Sequence, residues 1–260
     1  MSILASPLYR RLARTFQRIF HRANWSGKHK SPAMIGPPVS PGELDRLYLK
    51  QLLGADAALI LEIGANDGTH TSRFLTDFPS ATIYAFEPDP RASAKFKARV
   101  HEPRAHLFEC AIGAKDGEAK FHVSSGLPDG MPMNEQKDYP LGWDQSGSLR
   151  APKRHTTVWP WVKFETKIKV AVKRLDTWAN EYGIKTVDLI WADVQGAEGD
   201  LIAGGKNTLA RTRFLCTEYS NDGLYKGQPT LARLVKLLPN FSIVRRYPGD
   251  VLFKNDAFNS

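Results

Sequence analysis

Acidic residues stand at or near the ends of apolar runs in this chain, and their neighbours decide what they could do. Glu62 closes such a run and is followed by Gly64, Asn66 and Gly68, spaced two apart. A strand that delivers glycines into a helix start sets backbone N–H groups and a positive helix end beside a ligand. Glu87 ends the next run 23 residues after Gly64, and an acid about 20 residues beyond such a turn is where a ribose diol is held. The bland alternative is a solvated strand-end acid before a turn-forming Pro88. Together the two features point to a nucleoside-containing ligand.

The ligand's charge can be read from the same residues. A dinucleotide site uses G-x-G-x-x-G, so that the backbone approaches a pyrophosphate. Here Asn66 replaces the second glycine, and Glu62 sits just before the loop. A negative charge there repels a pyrophosphate and suits a cationic amino-acid moiety. S-adenosylmethionine, with a sulfonium, an ammonium and no phosphate, fits that demand. Methyl transfer from it needs alignment of nucleophile, methyl and sulfur. A hydroxyl nucleophile must also lose a proton, to a base or through a metal. Asp193 and Glu218 are the candidates, with Asn221 three residues on. Two acids and an amide could also gather magnesium, an arrangement we do not adopt. His70 and His155 could serve as bases, but a lone histidine is more often a surface or capping residue, and neither is expected to act.

The surrounding pattern supplies elements to position these groups. A helix over about 43–53 leads to a strand over 58–63, the glycine loop, and a helix from about Thr71. Strands over 82–86 and 106–112 flank a helix over about 91–100. The rhythm resumes with a strand over 187–194, a helix over about 197–210 and a strand over 213–219. A helix over about 229–238 and strands near 241–246 and 250–254 complete it. Strand and helix alternating at this spacing indicate a parallel α/β sheet. Between strands three and four lies an insertion, about 113–185, expected to hold a strand pair (119–124 and 166–172) around a long loop with Tyr139, Trp143, Trp159 and Trp161. Long loops inside a compact domain tend to be functional lids; packing of those aromatics onto the domain is the equal alternative.

In this order, LEIGANDGTHTSRF, YAFEPDP, FECAIGAKDG and VDLIWADVQGAEGDLIAGG resemble the FkbM family of S-adenosylmethionine-dependent methyltransferases. The resemblance covers residues 58–220, and its most specific part is the D-x-[EQ]-G-x-E pattern after a strand. It implies a Rossmann-like class I methyltransferase fold, α/β, with a mostly parallel seven-stranded sheet, helices on both faces and the insertion between strands three and four. Carried over residue by residue, it implies that Glu62, Gly64, Ala65, Asn66 and Asp67 line the methionine end and that Thr71 meets the methionine carboxylate. Glu87, with Pro88 beside it, takes the ribose hydroxyls, and Glu109, Cys110 and Ala111 lie by the adenine. Asp193 faces the methyl or the substrate. The family commonly has Glu where this chain has Gln195, which removes one charge beside the site.

Composition sets the outer bounds. The chain has 260 residues and a net charge of +9, yet residues 1–42 hold seven cations and no acid, leaving +2 for the rest. A nearly neutral domain over 43–260 therefore follows a basic arm and a Pro/Gly-rich linker. As a helix, residues 8–22 set five apolar side chains opposite five arginines, which suits an anionic membrane surface at the inner face, a subunit contact or an organelle transit peptide. Two distant cysteines, Cys110 and Cys216, indicate neither a disulfide framework nor a zinc site and fit a reducing cytoplasm. The expected activity is O-methylation of a sugar, glycan or other small metabolite, releasing S-adenosylhomocysteine. Ribose methylation of RNA is the rival, prompted by cations at Arg150, Lys153, Arg154, Lys163, Lys167, Lys169, Lys173 and Arg174. A non-catalytic nucleoside-binding module is the third reading.

Overall fold

The computed structural model describes residues 46–54 and 56–258. The expected helix over 8–22, the linker over 28–42 and the first residues of the helix expected from 43 lie outside them. The strands are β1 (Leu59–Ile63), β2 (Thr82–Phe86), β3 (Ala105–Phe108), β4 (Ala111–Ile112), β5 (Gly117–Ser125), β6 (Lys163–Lys173), β7 (Val187–Ala192), β8 (Thr212–Glu218), β9 (Phe241–Arg246) and β10 (Asp250–Asn255). The helices are α1 (Arg46–Leu53), α2 (Thr69–Asp77), α3 (Pro90–Arg99), α4 (Met133–Gln136), α5 (His155–Val158), α6 (Leu175–Glu181), α7 (Glu198–Gly204), α8 (Lys206–Ala210) and α9 (Leu231–Leu237).

Seven strands form one sheet in the order β3-β2-β1-β7-β8-β10-β9. Only β10 runs against the direction of the other six. The apolar runs of β1, β2, β7 and β8 suit this place, since parallel strands are covered on both faces. Successive residues of β1 point to opposite faces: Leu61 and Ile63 pack with α6–α9, whereas Ile60 packs with Leu49 and Leu53 of α1 and Phe74 of α2. The order reverses at β1, where β2 lies on one side and β7 on the other. Open α/β sheets hold ligands outside the strand ends at such a point.

Two expected elements are divided. The strand expected over 106–112 is β3 followed by a break at Glu109 and Cys110, after which β4 joins β6 and β5 in a second, three-stranded sheet. The sequence shows one apolar run; the chain changes sheets within it. The helix expected over 197–210 breaks at Gly205. There Asp176 captures the start of α8, its carboxylate accepting from the backbone N–H groups of Asn207 (3.2 Å) and Thr208 (2.8 Å). The strand pair of the insertion is present as β5 and β6. The last part of the region read as insertion is α6, whose Trp178 is fully buried against Tyr84, Phe86 and Phe108. Trp178→Ala should cost about 3–5 kcal/mol in urea denaturation, as deletion of a large core aromatic does. A loss within about 0.5 kcal/mol, typical of a surface site, would remove α6 from the core.

Candidate active site

Register sets the site. Ile63 is paired with Phe86 on one side and Ala192 on the other, and Ala192 is paired with Thr217. The next residues, Glu87, Gly64 and Asp193 just past their strands and Glu218 at the end of β8, therefore form one row. Gly64 is left-handed at φ 89°, and a Cβ there would lie 1.9 Å from the Asp193 carbonyl oxygen. Only glycine allows β1 and β7 to end side by side.

The loop after Gly64 spends its N–H groups on the protein. Gly64 and Ala65 donate to the Phe86 carbonyl at 2.9 and 3.0 Å, and Asn66 donates to Glu87 Oε2 at 2.9 Å. Those donors are not aimed outward at a phosphate, which agrees with a ligand that has none. Asp89 N–H holds the other Glu87 oxygen at 2.7 Å. Glu87 is thus fixed by two backbone donors, and burial still pushes its carboxyl up to about 8.

Glu62 is wholly buried and accepts a hydrogen bond from the Thr71 hydroxyl at Oε2. Its Oε1 has no partner among the described residues. Burial, opposed by the Thr71 bond, pushes this carboxyl to about 8. Thr71 therefore has its proton committed to Glu62 and is itself buried, so it is not free to donate to a ligand carboxylate as expected. Asp67 is also turned away: its Oδ1 accepts from Thr69 N–H and its Oδ2 pairs with Arg99 at 2.7 Å. It starts α2 rather than lining a pocket.

A cleft of about 410 Å³, open to solvent, runs along the row of strand ends. Gly64, Glu87, Pro88, Cys110, Ala111 and Asp193 line it, with Phe121, Gly147 and Leu149 closing it from the insertion. Glu109 is not among the lining residues. It points outward, half exposed, and pairs with Lys97 at 2.5 Å, at a tight turn in which Cys110 N–H donates to the Phe108 carbonyl at 2.9 Å.

Asp193 faces the cleft, and Glu218, which does not line it, shares an amide with it. Gln195 Nε2 donates to Asp193 Oδ1 at 2.6 Å and to Glu218 Oε2 at 3.2 Å. Burial raises both carboxyls, and Asp193 raises Glu218 further. Glu198 and Asp250 add to this acidic neighbourhood, and burial pushes each to about 7. Among the described residues no group of three or more His, Cys, Asp or Glu side chains is arranged to hold a metal ion. His70 packs edge-on to Trp191, and His155 is buried against Trp159, Phe164 and Tyr225. Burial lowers each to about 4.

Sequence reasoning missed Tyr225, Asp250 and the roof residues Phe121, Gly147 and Leu149. Glu198 was legible as the last residue of D-x-Q-G-x-E: its Oε1 accepts from Gly196 N–H at 3.0 Å and folds that turn. The others sit where no spacing pattern announces them. Of the loop aromatics, Tyr139, Trp143 and Trp161 contact one another in series at 5.1 and 5.3 Å, while Trp159 is buried.

The chain is 46% identical over 226 residues to 2-O-methyltransferase NoeI of Sinorhizobium fredii, covering 85% of this chain and 88% of that one. It is 25% identical to Methyltransferase 1 of Beauveria bassiana over 57% of this chain and 59% of that one. Aeropyrum pernix fibrillarin, solved with S-adenosyl-L-methionine, is 14% identical with a TM-score of 0.42, covering 81% of this chain and 74% of that one. That likeness is too weak to carry a residue correspondence. The description "Methyltransferase FkbM domain" matches residues 62–247, from Glu62 through every strand end that borders the cleft, and the chain belongs to the FkbM methyltransferase family.

Proposed function

We propose that this protein moves a methyl group from S-adenosylmethionine to a hydroxyl oxygen of a sugar, glycan or other small metabolite. The observation that carries the reading is Glu62 Oε1, a buried carboxylate oxygen without a partner among the described residues, beside the glycine loop. A buried polar oxygen needs a partner, and an ammonium answers that need as Glu62 gives up its proton. Glu62 would hold the amino group, Glu87 and Pro88 the ribose, and Cys110 and Ala111 the adenine edge. When bound, the cofactor supplies the methyl group on a sulfonium that leaves as a neutral thioether.

Asp193 then takes up the proton that the attacking hydroxyl loses. Its raised affinity for a proton suits a base, and Glu218 serves behind it. The relative NoeI carries an O-methyl activity in its name, which agrees with an oxygen acceptor. The contiguous Tyr139, Trp143 and Trp161 rings offer apolar faces for the C–H side of a sugar. RNA is disfavoured, because five of the eight cations that prompted it are engaged by acids. Arg150 pairs with Asp200, Arg154 with Asp222, Lys169 with Glu118, Lys173 with Glu181 and Arg174 with Asp176. A cytoplasmic setting agrees with two free cysteines, and no helix among the described residues is long and apolar enough to cross a membrane.

The direct test is S-adenosylhomocysteine formation from S-adenosylmethionine with a panel of methyl glycosides bearing free hydroxyls, against a structured RNA. Turnover on the RNA alone would overturn the acceptor class. EDTA should leave turnover unchanged; loss restored by magnesium would add a metal to the site.

Cofactor binding should depend on pH with a fixed sign. Below about 8 the free protein holds Glu62 protonated, so binding an ammonium releases a proton, and affinity falls by up to about tenfold per unit as pH drops. Calorimetry with S-adenosylhomocysteine should show affinity rising from about pH 6 to about pH 8, and Glu62→Gln should flatten the rise. A wild-type profile without slope would sink the Glu62 assignment. Glu87→Ala should weaken binding about tenfold or more, the equivalent of a lost charge-assisted hydrogen bond, about 1.5–3 kcal/mol. Asp193→Ala should cut turnover about 10²-fold or more with cofactor affinity largely kept; near-normal turnover would return it to a structural role.

A further inference from the structure

Gln195 occupies an unusual position for its residue type. Its backbone is left-handed at φ 50°, a conformation that an L residue of this kind keeps only where its surroundings hold it there. Every polar end of the residue is held. Its carbonyl accepts from the Ser148 hydroxyl at 2.7 Å, and its amide nitrogen reaches both Asp193 and Glu218. The Tyr225 hydroxyl lies 2.8 Å from Gln195 Oε1 and 2.8 Å from the Ser146 carbonyl, two acceptors that compete for its one proton. Gly196 makes the approach feasible: a Cβ there would lie 2.6 Å from Tyr225 Cβ.

We propose that Gln195 and Tyr225 are positioning residues for methyl transfer, the amide fixing the Asp193 carboxylate toward the cleft and the tyrosine, tied to the insertion, fixing the amide. The inference rests on the reading of Asp193 as the proton acceptor. The charged and titratable groups that face Asp193 and Glu218 are Glu62 from β1, Glu198 from α7, Cys216 from β8, Asp250 from β10 and Tyr225 from the loop after β8. None is a cation. The Gln195 amide, first among the hydrogen bonds to Asp193 and ahead of the one from Glu218, favours its ionised form. Without it Asp193 binds its proton more tightly, so the pH above which it can act as base moves up. A glutamate at this position would add a further carboxyl in place of the donor and act in the same direction.

The test is the pH profile of kcat for the full chain with S-adenosylmethionine and the glycoside that turns over best. In Gln195→Leu the acidic limb should move up by about one unit, the shift equivalent to losing one hydrogen bond to a charged group. The KM for S-adenosylmethionine should change by no more than about twofold, since the amide is not among the groups assigned to the cofactor. Tyr225→Phe, which removes only the hydroxyl, should move the limb less and in the same direction, and it serves if Gln195→Leu does not fold. An equal fall of kcat at every pH in the variants, with the limb unmoved, would overturn the proposal and leave both residues structural. Carbon-13 NMR titration of the carboxyl groups separates this failure from that of the underlying reading. If Asp193→Asn turns over normally, Asp193 is not the acceptor. The positioning claim then stands or falls on whether Gln195→Leu raises the Asp193 titration midpoint.

Discussion

The in-register ending of four neighbouring parallel strands governs the site. Strands in a sheet lie about 4.8 Å apart, so residues one step past a common register line form a row at that spacing. Here that row is Glu87, Gly64, Asp193 and Glu218, from β2, β1, β7 and β8. A shift of one residue in any strand would exchange inward and outward side chains and scatter the row. Gly64 is the point of least tolerance, because its neighbour across the row is the backbone of Asp193. The opening between helices on the two faces then falls where the row is, and the cleft needs no further device to be placed there.

The row gathers carboxyl groups without cations, and hydrogen-bond donors manage the consequence. Burying an ionised carboxylate is costly unless it is paired, and the acids here are met by neutral donors: Thr71 for Glu62, backbone N–H groups for Glu87 and Glu198, and the one Gln195 amide for both Asp193 and Glu218. These neutral donors orient the acids but leave them reluctant to ionise, as the raised carboxyls of Glu62 and Glu87 record. A site in that condition favours a ligand that brings positive charge. Fixed lysines or arginines in the row would have removed that preference.

Much of this was legible in the sequence because it depends on order along the chain. Apolar runs separated by helical segments specify a parallel sheet, and acids one residue past those runs specify a row. What was not legible depends on direction. Asp67 and Glu109 are acids in the right segments, yet one turns to Arg99 and the other to Lys97, and only the backbone path decides this. Thr71 lies at the helix start as expected but faces inward, where Glu62 takes its proton. The divided elements have the same origin: the apolar run 106–112 does not say which sheet each half joins. Tyr225 reaches the site from 30 residues beyond Gln195, through a loop with no periodic pattern.

The insertion accounts for the feature that first set the loop apart from a dinucleotide site. Asn66 stands where a glycine would be needed for a pyrophosphate, and it adopts the left-handed backbone at φ 46° that asparagine tolerates better than most residues. Its side-chain amide donates to the Asp144 carbonyl at 3.1 Å, and the Asp144 carboxylate pairs with Lys95 of α3 at 2.5 Å. Arg91, held by Asp89, donates to the Ser124 and Leu141 carbonyls at 2.9 and 3.2 Å. On the far side, Ser148 holds Gln195. The roof residues Gly147 and Leu149 are thus anchored beside the cofactor loop at one end and beside the acid pair at the other. An asparagine serves here because the ligand has no phosphate to admit: the space a glycine would have left open is used to fasten the roof.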